Sequence, residues 1–146
     1  MARGSQRRTA VAGGVPTRVA PSPKHGLGVF AARDIAAGEI VHVAPVILMS
    51  DTDVEILDPT PLHGLVYGWD EGSSAFALGL GSLFNHDFEP NCEYHRLDAD
   101  DVDEATGEAV GFDALQYSAV RDIVAGEELT VDYGGGDPSI LWFDPT

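Results

Sequence analysis

The sequence is poor in three residue types: 146 residues hold one cysteine, one lysine and two tryptophans. The single thiol, Cys92, excludes an internal disulfide and a cysteine-based structural zinc site. It suits a reducing compartment, so a cytoplasmic setting is expected, with a nuclear or organellar one open for a eukaryotic source. Following Pro90-Asn91, it reads as a buried structural thiol. No apolar run is long enough to cross a bilayer. The longest candidate, Ile40 to Met49, is interrupted by His42 and Pro45 and reads as buried strand. Met1 to Val15 has no hydrophobic core of a secretory signal; rich in Arg, Ala, Gly, Ser and Thr, it reads as a flexible tail, with an organellar transit peptide as the lesser alternative.

Positive charge is nearly missing beyond residue 33. Residues 1–33 carry six bases, Lys24 among them, and no acid; residues 34–146 carry 24 acids against Arg96 and Arg121 alone, a balance of −22. A body this negative repels nucleic-acid phosphates and attracts basic partners. Two readings of the charge stand: an acidic surface that gathers Lys/Arg-rich peptides, or an adaptation to high salt. At 146 residues the chain is one domain, long enough to bury about two thirds of its unfolded surface.

Short apolar segments punctuated by Gly and Pro predict a mainly β fold with little helix. Strands are expected at Thr17–Ala20, Val29–Ala32, Ile40–Val43 and Leu129–Asp132, with a hairpin formed by Asn91–Leu97 and Val110–Ala119. Asp51–Leu57 reads as a short helix capped by Asp51 or Thr52, with Glu55 favourable in its first turn, and Pro59 and Pro61 stop it. Leu62–Trp69 is strand or buried loop. The acidic connection Asp98–Glu108 fails the calcium-loop pattern, since neither register puts Gly at the sixth position, and reads as a solvated loop. Two phrases match: Arg33-Asp34-Ile35, two residues, Gly38-Glu39; and Arg121-Asp122-Ile123, two residues, Gly126-Glu127. Shared turn chemistry before a strand accounts for both.

Three further segments carry chemistry. In Lys24-His25-Gly26-Leu27-Gly28, the glycines permit positive φ and close approach of a ligand. No third Gly and no helix follow, so this is not a dinucleotide fingerprint. Asn85-His86-Asp87-Phe88-Glu89-Pro90-Asn91-Cys92 offers an amide able both to donate and to accept. A zinc site from His86 and His95 lacks third and fourth ligands. Last, Glu127-Glu128-Leu129-Thr130-Val131-Asp132 alternates as a strand and delivers Tyr133 before Gly134-Gly135-Gly136.

In this order the three segments resemble the SET-domain lysine methyltransferases, across residues 16–143. The resemblance implies small β sheets with a knot-like C-terminal crossing, between tails at 1–15 and 144–146, with residues 51–74 as a short variable insert. It implies methyl transfer from S-adenosyl-L-methionine to a lysine nitrogen of a basic, lysine-rich protein, histone-like or ribosomal. Tyr133 takes the catalytic position. His25, Gly26, Leu27 and Gly28 fall where main-chain groups hold the amino-acid end of the cofactor, and Asn85 and His86 also bind it. Asp87 departs from the family's usual Ser and leaves the hydrogen bonding there open. Val131 stands where many members place an aromatic that limits methylation. Tyr94 matches the alternative pattern with Tyr two residues after Asn-Cys; it is either that channel residue or a half-buried strand tyrosine. The family's cysteine-rich zinc module is missing, so Trp142 or Phe143 is expected to cover the adenine or cap the channel, unless both simply pack in the core. A non-catalytic SET fold that binds basic proteins is the alternative, and a homodimer that completes the groove stays open.

Overall fold

The computed structural model describes residues 15–133, so Trp142, Phe143 and both expected tails, apart from Val15, lie outside the described residues. Strands dominate. β1 (Thr17–Pro21), β2 (Leu27–Ala31), β6 (Asn85–His86) and β9 (Glu128–Val131) form one sheet in the order β1-β2-β9-β6. β3 (Ile40–Ser50), β4 (Val66–Gly68), β5 (Ser73–Ala77), β7 (Cys92–Leu97) and β8 (Ala114–Ala119) form the other, ordered β4-β5-β3-β8-β7. β9 comes last in the chain yet lies between β2 and β6, antiparallel to the first and parallel to the second. The expected knot-like crossing depends on the chain past Tyr133, which lies outside the described residues.

β3 is the spine of its sheet. Ile40–Pro45 pairs with β8 and Val46–Ser50 with β5. Pro45, which has no N–H to give, sits at the handover between partners, where a central strand tolerates it. Only the first half is buried. Ile47 and Leu48 are 52% and 44% exposed, which corrects the expectation of a buried strand to Met49. That half is flanked by helix α1 (Asp51–Leu57), none of whose residues is buried.

The helix occupies its expected span, but its cap is Ser50 rather than Asp51 or Thr52. The Ser50 Oγ accepts from Asp53 N at 3.2 Å and the Asp53 carboxylate accepts from Ser50 N at 3.1 Å, a reciprocal capping box. The acids of the first turn are Asp51 and Asp53, not Glu55. Within Leu62–Trp69 only Val66–Gly68 is strand, and β5 was not anticipated. The β7–β8 hairpin is as expected, except that β8 starts at Ala114 rather than Val110. Its acidic connection is a largely exposed loop, as expected, tied by internal bonds. Val102 bridges Ala109, and Asp103, only 5% exposed, accepts from Ala105 N at 2.8 Å. Among the described residues, no group of three or more His, Cys, Asp or Glu is placed to hold a metal ion.

The two matching phrases do more than share a turn. They dock on each other. Ile35 and Ile123 form an antiparallel bridge, both nearly fully buried. The Asp34 carboxylate accepts from Ala125 N at 2.9 Å, and the Asp122 carboxylate accepts from Ala37 N at 2.9 Å. Arg33 pairs with Glu39 and Arg121 with Glu127, and Gly38 and Gly126 take φ of +84° and +95°. One motif used twice thus ties the entry into β3 to the entry into β9.

Candidate active site

The site grows from the β6–β9 pairing. His86 lies opposite Val131 in parallel register, so the chain leaving β9 passes the His86 ring. The main-chain N–H of Tyr133 donates to His86 Nδ1 at 3.1 Å, which leaves Nε2 to carry the ring proton. The two rings lie 5.6 Å apart. The Tyr133 hydroxyl donates to the Phe84 carbonyl. Burial, assisted by the Glu128 charge, pushes the Tyr133 phenol up to about 12, so it stays protonated at neutral pH.

All four tyrosines of the chain gather here. The Tyr94 hydroxyl donates to the Tyr133 carbonyl at 3.4 Å. Tyr67 packs edge-on to Tyr94 and Tyr133, with centroids 4.9 and 6.1 Å away. Tyr67 donates to the Gly81 carbonyl at 2.9 Å, while Tyr117 reaches Tyr67 Oη at 3.0 Å and the same carbonyl at 3.2 Å. Phe84 stacks on Tyr117 with centroids 4.3 Å apart. Burial is the first cause that raises the phenols of Tyr67, Tyr94 and Tyr117, so the cluster is an uncharged, weakly hydrated wall. Arg96, on β7, lies over the Trp69 ring at 4.1 Å and pairs with Asp70 and Asp98.

The glycine turn joins this unit through Asn85. Its Nδ2 lies 3.2 Å from the His25 carbonyl, 3.2 Å from the Leu27 carbonyl and 2.8 Å from the Glu128 carboxylate. Ser22 Oγ donates to the same carboxylate at 2.8 Å. Gly26 has φ of +48°, but Gly28 does not take positive φ, which corrects the expected reason for it. Its requirement is space: a Cβ there would lie 2.4 Å from Glu128 Oε2 and 3.1 Å from Asn85 Nδ2. His25 and Leu27 contribute through their main chain, and their side chains are exposed. Asn91 locks the floor: its Nδ2 donates to the Glu128 carbonyl at 2.8 Å and its Oδ1 accepts from Thr130 N at 2.9 Å. Val131 is fully buried, two residues before Tyr133, and its carbonyl accepts from Asp87 N at 3.0 Å.

His25, Gly26, Leu27, Gly28, Asn85, His86, Tyr94, Val131 and Tyr133 therefore lie in one connected region, while Trp142 is outside the described residues. Sequence reasoning missed Tyr67, Phe84 and Tyr117. Tyr117 alternates with Leu115 and Ala119 on β8, an inward pattern that was available; Tyr67, on a three-residue strand, gave no such signal. Asp87 settles its own surroundings: Oδ1 accepts from Glu89 N at 2.9 Å, a bond that holds the carboxyl below its ordinary range.

The SET-domain family model matches residues 26–134. The chain is 32% identical over 130 residues to the H3 lysine-37 specific histone-lysine N-methyltransferase of Schizosaccharomyces pombe, covering 88% of this chain and 78% of that one. Among solved structures it resembles a Plasmodium falciparum chain assigned as a histone methyltransferase, with 22% identity and a TM-score of 0.61 over 81% of this chain and 96% of that one. It also resembles a humanized mutant of the Chaetomium thermophilum Polycomb Repressive Complex 2, with 24% identity and a TM-score of 0.64 over 84% of this chain and 15% of that one. The chain belongs to the SET-domain family. Within it, the chain is a protein-lysine N-methyltransferase.

Proposed function

We propose that this enzyme takes its methyl group from S-adenosyl-L-methionine and places it on lysine in a basic, histone-like or ribosomal protein. The observation that carries the reading is the connected unit in which Asn85 joins the 25–28 turn to Glu128 while His86 holds the main chain of Tyr133. The residues fit the cofactor. Gly28 gives the Asn85 amide and the Glu128 carboxylate room to pack against the turn, so that a buried amide holds the turn's main chain beside the 85–86 segment. His25, Gly26, Leu27 and Gly28 would hold the amino-acid end through the main chain, and Asn85 and His86 would complete the site. The bound cofactor supplies an electrophilic methyl on a sulfonium.

The chain's own residues do the rest. A lysine is protonated in water at neutral pH and must lose that proton to attack. The tyrosine wall, with Tyr94 and Val131 along the channel, disfavours the ammonium by excluding water. Tyr133 is a neutral phenol whose hydrogen goes to the Phe84 carbonyl, so it serves as an orienting group rather than a base. Its oxygen and the Phe84 carbonyl supply acceptors for amine hydrogens and polarised C–H groups. Such positioning is worth several kcal/mol. The acidic body, −22 over residues 34–146, gathers the basic partner.

Calorimetric titration with S-adenosyl-L-methionine, followed by mass spectrometry of histone H3 and of a lysine-rich protein mixture, tests the reading. Saturable binding and a 14-dalton increment on lysine are expected. Methyl transfer confined to non-lysine residues, or no cofactor binding, overturns it.

A further inference from the structure

The one lysine in the chain is placed against the cofactor loop. Lys24 Nζ lies 3.0 Å from Asp87 Oδ2, bridging the segment before the glycine turn to the residue after His86. Both backbones are anchored. Lys24 N donates to Ser22 Oγ at 3.0 Å, and Ser22 Oγ donates in turn to Glu128. Asp87 N donates to the Val131 carbonyl, and Oδ1 accepts from Glu89 N, which leaves Oδ2 for the lysine. The two side chains are 40% and 34% exposed. At that exposure an isolated pair adds little to stability. The sole lysine and its carboxylate join the turn that Asn85 bonds to the segment that Asn85 begins.

We propose that Lys24 and Asp87 together read the zwitterionic amino-acid end of the cofactor, the ammonium of Lys24 taking its α-carboxylate and the carboxylate of Asp87 its α-ammonium. This rests on the reading of the pocket as an S-adenosyl-L-methionine site. Opposite charges already side by side present both signs at once, and a zwitterion returns each sign to its complement. The pair selects for ligands that carry the intact amino-acid end, and it explains the carboxylate at position 87. Charge-assisted hydrogen bonds of this kind are stronger than neutral ones.

Two ligands separate this role from loop support. S-adenosylhomocysteine carries the amino-acid end; 5′-methylthioadenosine keeps the adenosyl thioether without it. Both are titrated calorimetrically into the wild-type chain, Lys24→Met, Asp87→Asn and Lys24→Arg, with circular dichroism as the folding control. Each neutralising variant is expected to weaken S-adenosylhomocysteine about tenfold or more while leaving 5′-methylthioadenosine unchanged. Lys24→Arg is expected to retain most of the affinity. Equal losses for both ligands, or no loss for either, overturn the proposal. Failure of the wild-type chain to bind either ligand overturns the cofactor reading itself, a separate result.

Discussion

His86 Nδ1 accepts the main-chain N–H of Tyr133 at 3.1 Å, so the histidine's position sets where the tyrosine's backbone leaves β9. The phenol is held at its other end by the Phe84 carbonyl. With both ends fixed, the hydroxyl has one place to be. Tyr133→Phe removes only the oxygen. Methyl transfer is expected to fall about a hundredfold or more, with cofactor affinity nearly unchanged. Single-turnover kinetics beside calorimetry check this; an undiminished rate removes Tyr133 from the mechanism.

Gly28 and Gly26 are predicted to differ for physical reasons. Alanine at 28 drives a Cβ into Glu128 and Asn85, and is expected to cost about 1–3 kcal/mol and to abolish cofactor binding. Alanine at 26 meets no atom within 4 Å and pays only for φ of +48°, about 1–2 kcal/mol, with cofactor binding retained. Thermal denaturation and ligand titration of both variants separate the cases.

The docked turns are predicted to behave as one unit. Asp34→Ala and Asp122→Ala each leave a turn N–H of the opposite segment without its acceptor, Ala125 and Ala37 respectively. Each is expected to cost about 1 kcal/mol. The double variant should cost less than the sum, because the second loss falls on an interface already loosened. Urea denaturation of the four proteins measures the coupling.

Stability is predicted to fall at both extremes of pH. Above pH 10 the unfolded chain releases phenolic protons that the folded chain keeps, since Tyr133 moves from 10.0 to about 12. The folded state then binds more protons, and stability declines as pH rises through that window. On the acid side, Arg33 holds Glu39 below its ordinary 4.5, Arg121 does the same for Glu127, and the Glu89 N–H lowers Asp87 from 3.8. Here the unfolded chain binds more protons, so the contribution is present above the ordinary values and lost as pH falls through the lowered ones. Melting temperature against pH checks both limbs; Glu39→Gln with Glu127→Gln should flatten the acid one.

Much of the site was legible because its residues are short-range and chemically unusual. Asn85-His86 with Pro90-Asn91, and a tyrosine at a strand end, could be read without coordinates. The nearness of His25, Asn85 and Tyr133 followed from the family pattern, not from spacing. What stayed hidden was long-range or steric. Gly28 looked like a conformational glycine but makes room for a carboxylate 100 residues further along the chain. The two Arg-Asp-Ile phrases were visible as copies, yet their mutual docking crosses 85 and 91 residues and leaves no periodic trace. Tyr67 lies on a three-residue strand, too short for alternation to show. The helix span was readable, but its cap belongs to the last residue of β3, where strand and helix share Ser50.

The Lys24–Asp87 contact has one more outcome. An enzyme that alkylates lysine is its own nearest substrate, and most chains would offer many such targets. This sequence offers a single side chain, whose amine is already engaged by the carboxylate of Asp87, next to His86. Within this sequence lysine self-modification has one position open to it, and an amine-directed fluorophore on that side chain would report from beside Asp87.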